Sequence, residues 1–98
     1  MKRISWSARA EQDFTKQMAY LEAHASKKSV LQYMAEVAQA IENISSKEVV
    51  YQLVDDTKRI RRYKVNKFID LYYKETAQDK VVLLTFFDRR QNPGKLKL

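Results

Sequence analysis

Residues 80–87, KVVLLTFF, are nearly all apolar and run straight into a polar, basic stretch, DRRQNPGKLKL, at 88–98. An apolar run of this length is expected of a central strand covered on both sides. A covered sheet is therefore the frame into which the rest of the chain has to fit. Working back, Ala77 to Lys80 is polar enough for a turn. Lys67 to Glu75 is rich in Ile, Leu and Tyr and reads as a second strand. Its neighbours Tyr72 and Tyr73 point to opposite faces, so at least one belongs to the core. Arg59 to Val65 reads as a third strand, with Arg61, Tyr63 and Val65 on one face. Residues 46–58, SKEVVYQLVDDTK, show no clean period and read as a connecting segment that tucks Tyr51 and Leu53 onto the core.

The front of the chain supplies the cover. Arg3 to Trp6 alternates in polarity and reads as a first or edge strand. Ser7 follows as an N-cap, because its hydroxyl can accept a bond from a free N–H of the first helical turn. From Ala8 to about Ala25, the apolar residues Ala10, Phe14, Met18 and Leu21 fall on one helical face. The AHASKKS stretch breaks that pattern, and Ser26 or Ser29 can cap a second helix running to about Ser45. Val30, Met34, Val37, Ile41 and Ile44 mark its apolar face. A connection this short makes the pair an antiparallel hairpin. The fold class is thus α+β, in the order β-α-α-β-β-β, within one domain spanning 1–98 whose residues 88–98 form a basic tail.

Composition narrows the function. The chain has 98 residues, 45% of them hydrophobic and 11% aromatic, which suits a single small globular core. It has no cysteine, so disulfides, thiolate metal sites and cysteine nucleophiles are excluded, as suits a cytoplasmic protein. MKRISWSARAEQDF lacks the apolar core of a secretory signal, and the 81–87 run is far too short to span a bilayer. With a single Gly there is no glycine-rich phosphate loop, and no metal-ligand spacing appears, so neither a cofactor nor a metal is expected.

Charge is segregated. Residues 1–57 carry 7 Lys/Arg against 8 Asp/Glu, whereas residues 58–98 carry 12 against 4. Six of the ten residues from Lys58 to Lys67 are basic: Lys58, Arg59, Arg61, Arg62, Lys64 and Lys67. This pattern points to a polyanion, either nucleic acid or an acidic protein segment. The plainer alternative is an edge strand kept soluble by its charge. Arg61 itself can bind a target or pair with a carbonyl or carboxylate beside the core. His24 reads as an exposed helix-end residue, and the tyrosines serve chiefly the core while remaining compatible with base stacking.

The order and spacing of Trp6-Ser7-Ala10, Arg61, Tyr72 and Phe87-Asp88-Arg89-Arg90-Gln91-Asn92-Pro93 resemble the RelE/ParE toxin superfamily over essentially the whole chain. The resemblance implies a small antiparallel sheet with the hairpin packed on one face. It also implies the toxin of a type II toxin–antitoxin operon, which arrests growth by one of two routes. RelE-like toxins cut mRNA in the ribosomal decoding site, and ParE-like toxins poison DNA gyrase.

Cleavage needs a proton acceptor for the 2′-hydroxyl, cations for the phosphorane and an acid for the leaving oxygen. By resemblance, Arg61 matches one basic sheet position, and Arg89 or Arg90 matches the basic residue after the last strand. Ile69, however, stands where the ribosomal nucleases carry Arg. The terminal RRQNPGKLKL has neither Tyr nor His, and arginine is a poor proton shuttle. The ParE-like, gyrase-directed branch therefore fits better. The candidates for binding the target are Arg59, Arg61, Arg62, Lys64, Lys67, Arg89 and Arg90. Were the chain an mRNA endonuclease, Arg61, Lys64, Arg89 and Arg90 would be its catalytic candidates. A third possibility is a small nucleic-acid-binding protein without toxicity, or a decayed toxin. The implied partner is an antitoxin whose acidic, amphipathic segment wraps the hairpin and the sheet.

Overall fold

Ser7 joins the first strand to the first helix by acting in both directions. Its Oγ accepts the Ala10 N–H at 3.0 Å and donates to the Leu84 carbonyl at 2.9 Å. The computed structural model describes residues 1–46, 50–76 and 79–98. Strand β1 (Arg3–Trp6) leads into α1 (Ala8–His24) and α2 (Lys27–Ser45), whose N-cap is Ser26. Then come β2 (Gln52–Asp55), β3 (Ile60–Lys64), β4 (Ile69–Thr76) and β5 (Lys80–Asp88), followed by a 3-10 turn at Pro93–Lys95. The α+β class, with a first strand and a hairpin on one face of the sheet, is as the sequence implies.

The sheet differs from expectation in two respects. It has five strands in the order β1-β5-β4-β3-β2, because the segment read as a connection contains β2. Leu53 within β2 is exposed rather than tucked in, whereas Tyr51 does pack on the core. The sheet is also mixed, since β1 runs parallel to β5 while the other pairs are antiparallel. Part of the expected turn after β4, residues 77 and 78, lies outside the described residues.

β5 lies between β1 and β4 and is covered on both faces, as its apolar run requires. On the helix side, Val81, Leu83 and Phe86 join Ala10, Tyr33, Val37, Ile44, Leu71 and Tyr73 in the main core. Trp6 packs at 5.5 Å from both Phe14 and Phe86, and Phe14 stacks on Tyr33 at 5.4 Å. That last contact sets the rotation of α2. Its buried residues are Tyr33, Val37, Ala40, Ile44 and Ser45, while Met34, placed on the apolar face by periodicity, is exposed. On the outer face, Ile60, Tyr72 and Phe87 form a second cluster with Leu84 and Leu96. Tyr72 and Tyr73 are thus both buried, on opposite faces. The pairing of β4 with β5 slips between them, so that Tyr72 faces Thr85 and Tyr73 faces Leu83, leaving Leu84 as the extra residue of a bulge.

The residues after β5 are not a free tail. Asn92 caps the 3-10 turn by accepting the Gly94 N–H at 2.9 Å, and Leu96 returns to the outer cluster.

Arg59 adopts a φ of 60° in the β2–β3 turn. The left-handed region crowds any side chain that carries a Cβ. Arg59→Gly is expected to raise stability by about 0.5–1 kcal/mol, read as a higher denaturant midpoint at unchanged slope.

Candidate functional site

Alternation along β3 divides its basic residues between the two faces of the sheet. Arg62 and Lys64 point to the outer face with Ile60, opposite Tyr72 and Asp70 in register. Arg61 points to the helix side with Tyr63 and Val65. There its Nε donates to Glu75, and one terminal nitrogen donates to the Tyr51 carbonyl at 2.7 Å. Lys2 reaches the other oxygen of Glu75 at 3.0 Å. One carboxylate thereby ties β4 to β3 and to the start of β1. Burial pushes the Glu75 carboxyl up, but the hydrogen bonds and charges of Arg61 and Lys2 outweigh it and hold the group below its usual range. A depressed carboxyl contributes stability that is present above its unfolded pKa and lost as the pH falls through its folded value. The thermal midpoint should therefore fall below the ordinary value near 4.5, and fall less steeply in Glu75→Gln, as read by calorimetry across acid pH.

The two arginines after β5 also diverge. Arg89 turns to the outer face, where its Nε lies 3.3 Å from Asp70 and its NH2 donates to the carbonyls of Asn66 and Lys67. Asp70 is 3% exposed, a carboxylate buried in the floor of the outer face. Around it Arg62, Lys64 and Arg89 converge with Tyr51 and Gln52 on a groove of about 380 Å³. Arg62 is steadied there by the Gln52 side chain. Three cations thus gather from β3 and the end of β5, with Arg89 anchored by the loop that Asn66 organises. The Asn66 side chain accepts the N–H groups of Phe68 and Ile69, both at 2.9 Å.

Arg90 goes the other way. It grips Asp88 through two nitrogens, at 3.0 and 2.7 Å, and lies 4.0 Å from the Phe68 ring centre. The hydrogen bond from Arg90 holds the Asp88 carboxyl below its ordinary range. Lys67 lies 5.6 Å from the same ring. This side opens into a cleft between the hairpin and the β3–β4 loop, with adjoining cavities of about 360 and 480 Å³. Both are lined by Tyr20, Tyr33, Ile69 and Arg90.

The seven basic residues singled out by sequence therefore do not form one patch. Arg62, Lys64 and Arg89 come together. Arg61 is across the sheet, Arg59 is at the far end of β3, and Lys67 and Arg90 border the helix-side cleft. Sequence reasoning missed Asp70, although a lone acid inside the buried stretch IDLYY was its signal. It also missed Phe68 and Glu75. His24 packs on Tyr20 at the end of α1, ring centres 4.7 Å apart, and does not line the outer groove.

Over residues 4–93 the chain matches the family model of the ParE toxin of the type II toxin–antitoxin system parDE. The chain belongs to the ParE toxin family. It is accordingly a type II toxin–antitoxin toxin, and the RelE/ParE resemblance read from its sequence holds. No curated protein gives a significant match. Among solved structures, one of the chromosomal ParDE system from P. aeruginosa is similar with a TM-score of 0.72 at 9% identity, covering 90% of this chain and 96% of that one. The YoeB/ParE toxin from Agrobacterium tumefaciens has a TM-score of 0.58 at 7% identity, with 88% and 97% covered. The E. coli DinJ-YafQ complex gives 0.52 at 18% identity, with 92% and 96% covered. These likenesses concern the fold.

In this ParE family member, Tyr33 carries the one buried side-chain polar atom without a hydrogen-bond partner among the described residues. Burial, then the charges of Asp13 and Glu36, push its hydroxyl pKa up, so it stays a neutral phenol. An unpartnered buried hydroxyl costs free energy. Tyr33→Phe is expected to stabilise the free protein by about 1 kcal/mol, raising the thermal midpoint by about 4–8 °C.

Proposed function

We propose that this toxin arrests growth by binding DNA gyrase through the outer face of its sheet, as an inhibitor and not as a nuclease. The observation that carries the reading is the composition of the outer groove. Arg62, Lys64 and Arg89 supply positive charge, and no histidine lines it. Its one carboxylate, Asp70, is engaged by Arg89. Arg89 is fixed by that carboxylate and by two carbonyls, which suits the presentation of charge to an acidic surface. An arginine that stays protonated serves poorly in moving the proton of a 2′-hydroxyl. The match to the ParE model supports the same branch.

The antitoxin partner expected of a type II toxin meets a different surface. The helix-side cleft offers Tyr20 and Phe68 to apolar side chains, within a rim where Lys16, Lys67 and Arg90 alternate with the carboxylates of Asp13, Glu36 and Asp88.

The test is purified protein added to gyrase on relaxed plasmid and, separately, to ribosomes programmed with mRNA. Blocked supercoiling with intact mRNA is the expected result. Cleavage in the A site with normal supercoiling would overturn the reading in favour of the endonuclease. No effect in either assay, and no growth arrest on expression, would mean a protein without toxicity.

A further inference from the structure

The outer face carries a cover of its own. After the turn at Pro93–Lys95, Leu96 packs against the outer cluster of Ile60, Tyr72 and Phe87. Two cations then hold the following carbonyls. Arg9, in the first turn of α1, donates to that of Lys97, and Lys58, in the β2–β3 turn, reaches that of Leu98 at 3.2 Å. These donors come from opposite sides of the strand order, so residues 93–98 are strapped over the sheet. The attachments are slight: one half-buried leucine and two solvent-exposed hydrogen bonds to main-chain oxygens.

What lies beneath is continuous with the cationic groove. Tyr72 is the register partner of Arg62, and Phe87 is the partner of Asp70, on which Arg89 sits. Even with the strap in place Tyr72 is 6% and Phe87 8% exposed, so its departure would open an aromatic, apolar patch directly beside the three cations. It would also release Arg9 and Lys58 from their carbonyls, leaving five cations around one apolar centre.

We infer that residues 93–98 are an intramolecular strap, with Leu96 holding the place of an aliphatic side chain of the target. The inference rests on the outer face being the target-binding surface. The partner that fits is a protein segment bearing one large aliphatic side chain flanked by carboxylates. The aliphatic group replaces Leu96, and the carboxylates meet Arg62, Lys64, Arg89 and the freed Arg9 and Lys58. A binding-competent state that is open only a fraction of the time lowers apparent affinity by that fraction.

Leu96→Ala in the full chain tests this. If the strap is closed about nine-tenths of the time, loosening it should lower the half-inhibitory concentration by about 10-fold, with a thermal midpoint a few degrees lower. Asn92→Ala, which removes the turn cap without touching the apolar cluster, should act in the same direction and keeps the test open if Leu96→Ala unfolds. Unchanged or weaker inhibition by a folded variant would overturn the strap, the weaker case meaning that Leu96 itself contacts the target. The expression level needed to arrest growth is read in parallel. If supercoiling is untouched but both variants arrest growth at lower expression, the gyrase reading fails and the strap stands. If the parent chain arrests nothing, both fail.

Discussion

The double variant Arg62→Ala, Lys64→Ala should lose at least about 30-fold in gyrase inhibition, and in growth arrest with it, while its thermal midpoint stays within about 3 °C of the parent. The size follows from two interfacial cations, each contributing about 1–1.5 kcal/mol when partly desolvated against an acidic surface. The fold should survive because Lys64 is exposed and Arg62 is held on the sheet by the Gln52 side chain alone among the described contacts. Binding driven this way also weakens as salt rises, because added ions screen exposed charges beyond about 10 Å at 0.1 M. Inhibition by the parent chain should therefore fall between low and moderate salt, and that of the double variant should fall less.

Arg61→Ala should have its large effect on stability. Its guanidinium and Glu75 are largely buried, with side chains 16% and 19% exposed. Removing it leaves the Tyr51 carbonyl and one oxygen of Glu75 without their donor. Breaking such a pair from one side costs about 2–3 kcal/mol, which in a domain of this size lowers the thermal midpoint by about 10 °C or more. Glu75→Ala should cost a similar amount, and the double variant less than the sum, because the two act as one unit. Circular dichroism melts of the three variants check this. A melt unchanged in Arg61→Ala would contradict the structural role and return Arg61 to the set facing a target.

How much of this was legible follows from particular residues. The KVVLLTFF run, the Ser7 cap and the first helix could be read because each depends on local pattern, and the structure keeps each of them. Strand β2 was not legible, since four residues with polar ends, QLVD, give alternation too little length to show. The second helix shows a subtler limit. Stripes at Val30, Met34, Val37, Ile41 and Ile44 and at Tyr33, Val37, Ala40 and Ile44 both satisfy the helical period. The stacking of Tyr33 on Phe14, an interhelix contact, turns Tyr33 inward and leaves Met34 exposed, while Val37, Ile41 and Ile44 stay on the core.

The same reasoning governs the site. Period-two alternation already placed Arg61 with Tyr63 and Val65, away from Arg62 and Lys64. Its partner Glu75 lies 14 residues further on and could not be named without the register of β3 on β4. Arg89 and Arg90 read as one pair because they are adjacent. Leaving a strand, adjacent residues point to opposite faces, and here one serves the outer groove and the other the helix-side cleft. The return of Leu96 was not legible because the cluster it packs against is assembled from β3, β4 and β5, which only the folded sheet brings together.

The central claim is that the basic outer face binds and inhibits without catalysing. Titrating the purified toxin against a fixed amount of gyrase, with supercoiling as the readout, tests it most directly. Inhibition that saturates near one toxin per target site, with mRNA left intact on programmed ribosomes, is the predicted result. Undiminished supercoiling at saturating toxin, with sub-stoichiometric toxin cutting mRNA on programmed ribosomes over many turnovers, would contradict it.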